Sequence, residues 1–270
     1  RQLQMAVLIV GHVTKDGQLA GPRLLEHLVD VVLSFEGDRH HALRGLHAVK
    51  NRFGTTLEIG LFEMEQHGLT EVKDAAAFLD PDAPARSGAV VSSAIHGSRC
   101  LLVEVQALVA TGVFGQARRR ATGIDGSRLT MLSAVLEQHA QLKLVDQDIY
   151  ASTVGGLKVT EPAVDLALCL SIIGGYSKMV LPKQMCAIGE VGLGGEVRSV
   201  PQLEQRVAQA RRRGYQKLLI PITQESVTGD DLIGVASVAD LGQFFEKKSS
   251  NEPYIKQLSD VQIEENATCC

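Results

Sequence analysis

The sequence predicts an α/β protein in two parts, with one side of a mixed sheet followed by a separate α+β domain. Three observations carry this. Short apolar runs alternate with a helix-like stretch through the first 80 residues. The segment Asp80-Pro81-Asp82-Ala83-Pro84-Ala85-Arg86-Ser87-Gly88 is dense in turn formers and helix breakers, which places a linker at 81–88. Beyond it, Pro162 opens a helix that is apolar almost all round, as the core helix of a second domain must be.

In chain order, residues 5–10 read as a buried strand, followed by a loop at 11–17. Gly21-Pro22 opens a helix-like stretch with Leu24, Leu25, Leu28 and Val29 on one side. Strands are expected at 29–35, 43–51 and 59–64, with a charged turn at Glu36-Gly37-Asp38. After the linker, 89–95 and 101–109 read as a strand pair joined through Gly97-Ser98. Residues 127–140 carry Leu129, Leu132, Leu136 and Ala140 at helical spacing, and 149–154 is a strand ending at Gly155-Gly156. The Pro162 helix runs through Leu166, Leu170 and Ile173. Residues 186–198 form a glycine-broken hairpin. Pro201 opens a helix with Leu203, Val207 and Ala210 inward, closed by Gly214, and 218–221 is the last strand. Residues 249–270 are a polar tail expected to be disordered.

Composition narrows the function classes. With 45% hydrophobic and 21% charged residues the chain has the make-up of a soluble globular protein, and no apolar run is long enough to span a membrane. A net charge of −4 gives no overall attraction for nucleic acid, so any such binding must come from local basic patches. The five cysteines are scattered, with no C-x-x-C pair, which argues against a disulfide framework and for a reducing compartment. Cys269-Cys270 does not meet the usual prenylation pattern. No metal site is expected, because neither His40-His41 nor His96 has partners at ligand spacing. The chain opens on Arg1 and runs at once into an apolar strand, which reads as the start of a fragment.

No G-x-x-x-x-G-K-[ST] loop occurs, so nothing here cradles a triphosphate in the P-loop manner. Gly192-Leu193-Gly194-Gly195 lacks the following Lys and Ser/Thr and reads as a bent hairpin. The sharpest local signal is Lys50-Asn51-Arg52-Phe53-Gly54. Two cations two residues apart on an extended segment face one way, with Asn51 on the other side, and Gly54 lets the chain turn. Such a pair suits a phosphoryl group presented from outside the segment, but on the spacing alone a solvated edge strand is the favoured reading.

Several ordered stretches around that pentapeptide resemble the RadA/Sms family of DNA-repair proteins. They include Val10-Gly11-His12-Val13-Thr14-Lys15, Ala20 to Asp30, Phe35-Glu36-Gly37-Asp38-Arg39-His40 and Lys50-Asn51-Arg52-Phe53-Gly54 itself. They continue through Asp146-Gln147-Asp148, Val154-Gly155-Gly156-Leu157, Glu161-Pro162-Ala163, Gly189-Glu190-Val191-Gly192-Leu193 and Pro201 to Arg206. The resemblance implies the rear part of a RecA-like ATPase core at 1–80 and a Lon protease-like domain at 89–248, of the ribosomal protein S5 domain 2-like kind. It implies a homo-hexameric ring that uses ATP and Mg to drive branch migration of recombination intermediates. Its partners would be single-stranded or branched DNA and a recombinase filament, with no membrane. Zinc would belong only to an N-terminal finger that this chain lacks. The setting would be a bacterial cytoplasm or an organelle (chloroplast or mitochondrion).

By that resemblance Lys50 and Arg52 act in trans on the nucleotide or DNA of a neighbouring subunit, with Asn51 beside them. His12, Thr14 and Lys15 lie where related ATPases couple nucleotide state to DNA-binding loops. Aligned with the Lon motifs, Ala163 stands where the nucleophilic Ser is needed and Glu204 where its Lys is needed. Neither can serve, and Ser152, Ser171 and Lys158 are not at the required positions. The arginines Arg118, Arg119, Arg120 and Arg198, with Arg128, Arg206 and Arg211–Arg213, are either a DNA-backbone surface or solvated faces and inter-subunit salt bridges, with Glu161 and Asp165 as partners. Two further readings stay open: a Lon-type ATP-dependent serine peptidase, and a non-enzymatic DNA-binding or assembly module.

Overall fold

A computed structural model of the chain describes residues 5–11, 27–36, 43–56, 58–72, 79, 84–96, 99–113, 115–154, 158–224 and 226–245. The first sheet is an antiparallel meander of β1 (Val31–Glu36), β2 (Leu43–Asn51), β3 (Ile59–Glu65) and β4 (Gly68–Glu71). β1 to β3 fall where the apolar runs predict them. β4 is too short and polar to show in a hydrophobic pattern; the tight turn at 66–67 sets its register, pairing Glu65 with Gly68 and Phe62 with Glu71.

Along β1 the side chains alternate with the apolar set outward. Val31, Leu33 and Phe35 are exposed, while Val32 and Ser34 are half-buried. Leu61 is the most buried residue of this sheet, at 1% exposure. Residues 5–10 are not the buried strand their composition predicts: they form no strand, and Met5, Val7, Leu8, Ile9 and Val10 are all exposed. An apolar run becomes a buried strand only when neighbours take up its backbone groups and cover its faces, and no described strand pairs with this one. Of the helix expected from Gly21, only His27, Leu28 and Val29 lie among the described residues; the first two are helical and Val29 is not.

The second part is built on a mixed seven-stranded sheet. It contains β5 (Ala89–His96), β6 (Arg99–Thr111), β7 (Arg119–Thr122), β8 (Gln147–Thr153), β9 (Met185–Ala187), β12 (Lys217–Pro221) and β13 (Leu232–Val235), in the order β13-β12-β9-β5-β6-β8-β7. The β5/β6 and β6/β8 pairs are antiparallel and the other four parallel. A small hairpin of β10 (Glu190–Val191) and β11 (Val197–Arg198) stands apart. Three differences from expectation follow. Cys186 and Ala187 belong to the main sheet, because β12 takes up β9 in parallel, and only 190–198 is hairpin. The strand at 217–221 is not the last, since β13 and a 3-10 stretch at Val238–Phe244 follow it. β7, with sequence Arg-Arg-Ala-Thr, carries too little apolar signal to be seen in advance.

Helices cover both faces of this sheet. α1 (Gly126–His139) and α2 (Asp165–Ser177) pack with Ala187 and Leu219, whereas α3 (Leu203–Arg212) packs with Cys186 and Leu218. The alternation along β9 and β12 thus assigns successive residues to opposite layers. α1 begins where the Asp125 carboxylate accepts from the backbone N–H of Ser127 (2.7 Å) and Arg128 (3.0 Å). α2 follows a 3-10 turn at Pro162–Val164 and is buried from Asp165 to Gly174. Each leucine sealed there contributes roughly 1.5–3 kcal/mol. Among the described residues no helix is long and apolar enough to cross a membrane.

Candidate functional site

The corner after β2 gathers Lys50, Asn51 and Arg52. Asn51 closes the turn from both ends: its Oδ1 accepts from Phe53 N–H (3.2 Å) and its Nδ2 donates to the Thr55 carbonyl (3.1 Å). A Cβ at Gly54 would stand 3.0 Å from Asn51 Nδ2, so glycine leaves room for that clamp. Both cations reach back to the segment just before β1, although Arg52 lies past the end of β2, in a bend rather than on an extended strand. Lys50 Nζ donates to the carbonyls of Val29 (2.9 Å) and His27 (3.4 Å), at the C-terminal end of the helical residues 27–28, where a cation is favoured. Arg52 Nη1 meets Asp30 Oδ1 at 3.0 Å, and the Arg52 N–H donates to the Asp30 carbonyl at 3.1 Å. That ion pair is open to solvent, with side chains 62% and 49% exposed, so it contributes at most about 1 kcal/mol. Phe53 projects beside it, 77% exposed. His12, Thr14 and Lys15 lie outside the described residues.

The arginines divide into structural and surface groups. Arg119, expected on DNA, instead donates to the carbonyls of Leu144 (2.7 Å), Arg118 and Gln147, pinning β7 to the turn before β8. Arg118 and Arg120 are exposed on either side of it. Arg198 is paired with Glu196 on the hairpin. Arg211 grips Asp231 through two nitrogens, Nε at 2.7 Å and Nη2 at 2.6 Å. Glu161 and Asp165, partners across a subunit interface in one of the two readings of the arginines, both find an arginine within the chain. Arg128 holds Asp165 through Nε (2.8 Å) and Nη2 and also reaches the Val191 carbonyl (2.9 Å). Burial pushes the Asp165 carboxyl up from the usual carboxylate range, and Arg128 and the Val191 N–H pull it back.

The Glu161–Arg206 pair is the one the sequence concealed. Arg206 is 1% exposed, and Nη1 and Nη2 meet the two Glu161 oxygens at 2.8 and 2.6 Å. Its Nε and Nη1 also donate to the carbonyls of Pro201 (2.9 Å) and Ser93 (2.9 Å), while Glu161 also accepts from Ile95 N–H at 2.5 Å. The available signal was an arginine on the same helical face as Leu203, Val207 and Ala210; a charge there must be paired. This brace joins the two elements that carry Ala163 and Glu204. Ala163 is sealed in the core at 2% exposure, and Glu204 lies exposed in the first turn of α3. Ser171 donates to the Leu168 carbonyl at 2.8 Å inside its own helix.

The glycine-rich hairpin does not fit a phosphate. A Cβ at Gly192 would fall 2.0 Å from Glu196 Oε1, so the space those glycines open is filled by the chain's own carboxylate. No group of three or more His, Cys, Asp or Glu among the described residues could hold a metal ion.

A family model described as subunit ChlI of Mg-chelatase matches residues 128–224, from α1 to just past β12. Three relatives described as DNA repair protein RadA match far more of the chain. That of Bacillus subtilis is 48% identical over 239 residues, 87% of this chain and 52% of the relative. The Listeria monocytogenes protein is 50% identical over 222 residues, 82% of this chain and 49% of the relative. The Streptococcus pneumoniae protein is 46% identical over 244 residues, 88% and 58% respectively. The chain spans about half the length of the curated relatives it matches.

Proposed function

This chain is a homologue of the RadA DNA repair proteins, and on that premise we propose that it is the rear part of a DNA-dependent ATPase with a RecA-like core, joined to a Lon-like domain that does not cut peptides. In the full-length protein, ATP and Mg would be held by residues outside this sequence, because it contains no phosphate-binding loop and its glycine-rich hairpin is filled by Glu196. Hydrolysis would drive branch migration on single-stranded or branched DNA, beside a recombinase filament and within a homo-hexamer. The setting is a bacterial cytoplasm or an organelle.

The observation that carries this reading is the corner after β2. It sets a solvent-facing guanidinium, weakly held by Asp30, and an ammonium on one side of a fixed turn. Such an arrangement can meet the phosphoryl oxygens of a nucleotide bound by a neighbouring subunit, or those of a DNA backbone. DNA-stimulated ATP hydrolysis by the full-length protein tests it. Lys50→Ala and Arg52→Ala are each expected to lower the rate at least tenfold, and undiminished hydrolysis in both removes the trans role. Exposed Arg118 and Arg120 offer a further backbone contact, one that weakens with added salt.

Against a peptidase stand the buried methyl of Ala163 and the solvent-facing carboxylate of Glu204, which supply neither nucleophile nor amine base. Casein incubated with the protein is expected to remain intact.

A further inference from the structure

Among the five arginine–carboxylate pairs named above, the Arg52 pair has the fewest contacts. Arg128, Arg206 and Arg211 each present two nitrogens to their carboxylate, and Arg198 presents two to one Glu196 oxygen. Arg52 gives only Nη1 to a single oxygen of Asp30. Its Nε and Nη2 make no hydrogen bond among the described residues, and its side chain is 62% exposed. This leaves one edge of a planar fork, the edge that matches two oxygens of a phosphate, open to solvent.

The side-chain pair is also not what holds the corner in place. The Arg52 N–H already donates to the Asp30 carbonyl at 3.1 Å, and Lys50 Nζ ties the same segment through Val29 at 2.9 Å. Asn51 independently fixes the turn through Phe53 N–H and the Thr55 carbonyl. The backbone is fastened without the Asp30 carboxylate, so that group is left with a separate task.

From this we propose that Asp30 is a positioning residue. It acts as the resting counter-ion of Arg52, holding the guanidinium toward 27–30 until an incoming phosphate takes its place. The inference rests on the reading of Arg52 as a phosphate contact. An exposed one-point pair is worth roughly 0.2–1 kcal/mol, which a two-point charge-assisted contact to phosphate exceeds. A phosphate can dock on the open Nε/Nη2 edge while the carboxylate still holds Nη1, and it gains that third nitrogen only by displacing Asp30. The phosphate could belong to a neighbour's nucleotide or to a DNA backbone, and the same exchange serves either.

The test is a double-mutant cycle in the full-length protein with Asp30→Asn, Arg52→Ala and the pair. Two titrations are run on each: a fluorescein-labelled oligo-dT, and a fluorescent ATP analogue with Mg. Asp30→Asn is expected to tighten binding of one probe about two- to fivefold, and the probe that responds identifies the source of the phosphate. Asp30→Glu is expected to restore wild-type affinity. In the Arg52→Ala background Asp30→Asn should change nothing, a pattern that a merely structural aspartate would not give. Unchanged or weakened binding in Asp30→Asn, alongside weakened binding in Arg52→Ala, overturns the counter-ion role while leaving Arg52 as a contact. If Arg52→Ala alters neither titration nor hydrolysis, the phosphate reading of Arg52 falls and the role of Asp30 falls with it.

Discussion

The two sheets use similar strand material and reach opposite outcomes. In the seven-stranded sheet, α1 and α2 cover one face and α3 covers much of the other, so Val105, Ile149 and Leu218 are all fully buried. In the four-stranded meander, Val31, Leu33, Phe35, Val49, Met64 and Leu69 stand exposed. The amino-acid types do not explain the contrast, since Val-Val-Leu of β1 would suit either sheet. The difference is cover. A strand's hydrophobicity states what it can bury, and its neighbours decide what it does bury. The arginines follow the same division: on the helices of the covered sheet three are locked by paired contacts, whereas beside the open one Arg52 is barely held.

That comparison can be broken in three places. The largest effect is expected at Arg206. Arg206→Ala leaves Glu161 without its arginine and strips the buried Ser93 carbonyl and the part-buried Pro201 carbonyl of their donor, so urea denaturation should show a loss of about 3–5 kcal/mol. A loss below 1 kcal/mol would mean that the covered sheet does not depend on its brace. The second place is Cys100, whose thiol is pushed up to about 11 by burial beside the Glu161–Arg206 pair. A raised thiol pKa means less thiolate at any lower pH, so at pH 8 iodoacetamide should modify it about 100-fold more slowly than an ordinary cysteine. The rate should climb as pH rises toward 11, and peptide mass spectrometry follows it site by site. Cys169 and Cys186 are fully buried and pushed up further still, and they should react only on unfolding. The smallest effect belongs to the open sheet. Leu33→Ala, at a 56% exposed position, should shift the melting transition by no more than about 0.5 kcal/mol. A cost near 2 kcal/mol would show that β1 is covered in solution.

Much of the covered sheet was legible because its signals are local and redundant. α1 shows leucines at helical spacing, and α2 shows Pro162 followed by an almost wholly apolar stretch. β7 and β13 were not legible, because a short strand at a sheet edge needs little hydrophobicity and is held by its neighbour's backbone. Residues 5–10 misled in the opposite sense: six apolar or small residues in a row define a candidate strand and say nothing about a partner. At the candidate site, the spacing of Lys50 and Arg52 assumed an extended segment, whereas β2 ends at Asn51 and both side chains turn back to residues 27–30. It could not show that Lys50 serves two carbonyls and Arg52 one carboxylate, since those partners lie more than twenty residues upstream. The roles of Arg119 and Arg206 were hidden for the same reason. A run of arginines looks basic in sequence, and only the fold reveals which of them answer buried carbonyls.

The Glu161–Arg206 brace also constrains how this sequence can drift. Changing either member alone strands a charge or leaves carbonyls unanswered in the interior, whereas exchanging both for well-packed apolar residues can be nearly neutral. The viable states are therefore separated by a poorly folded single step. The pair should accordingly persist or vanish as a unit among descendants of this chain, and Glu161 and Arg206 should be read together wherever either is compared.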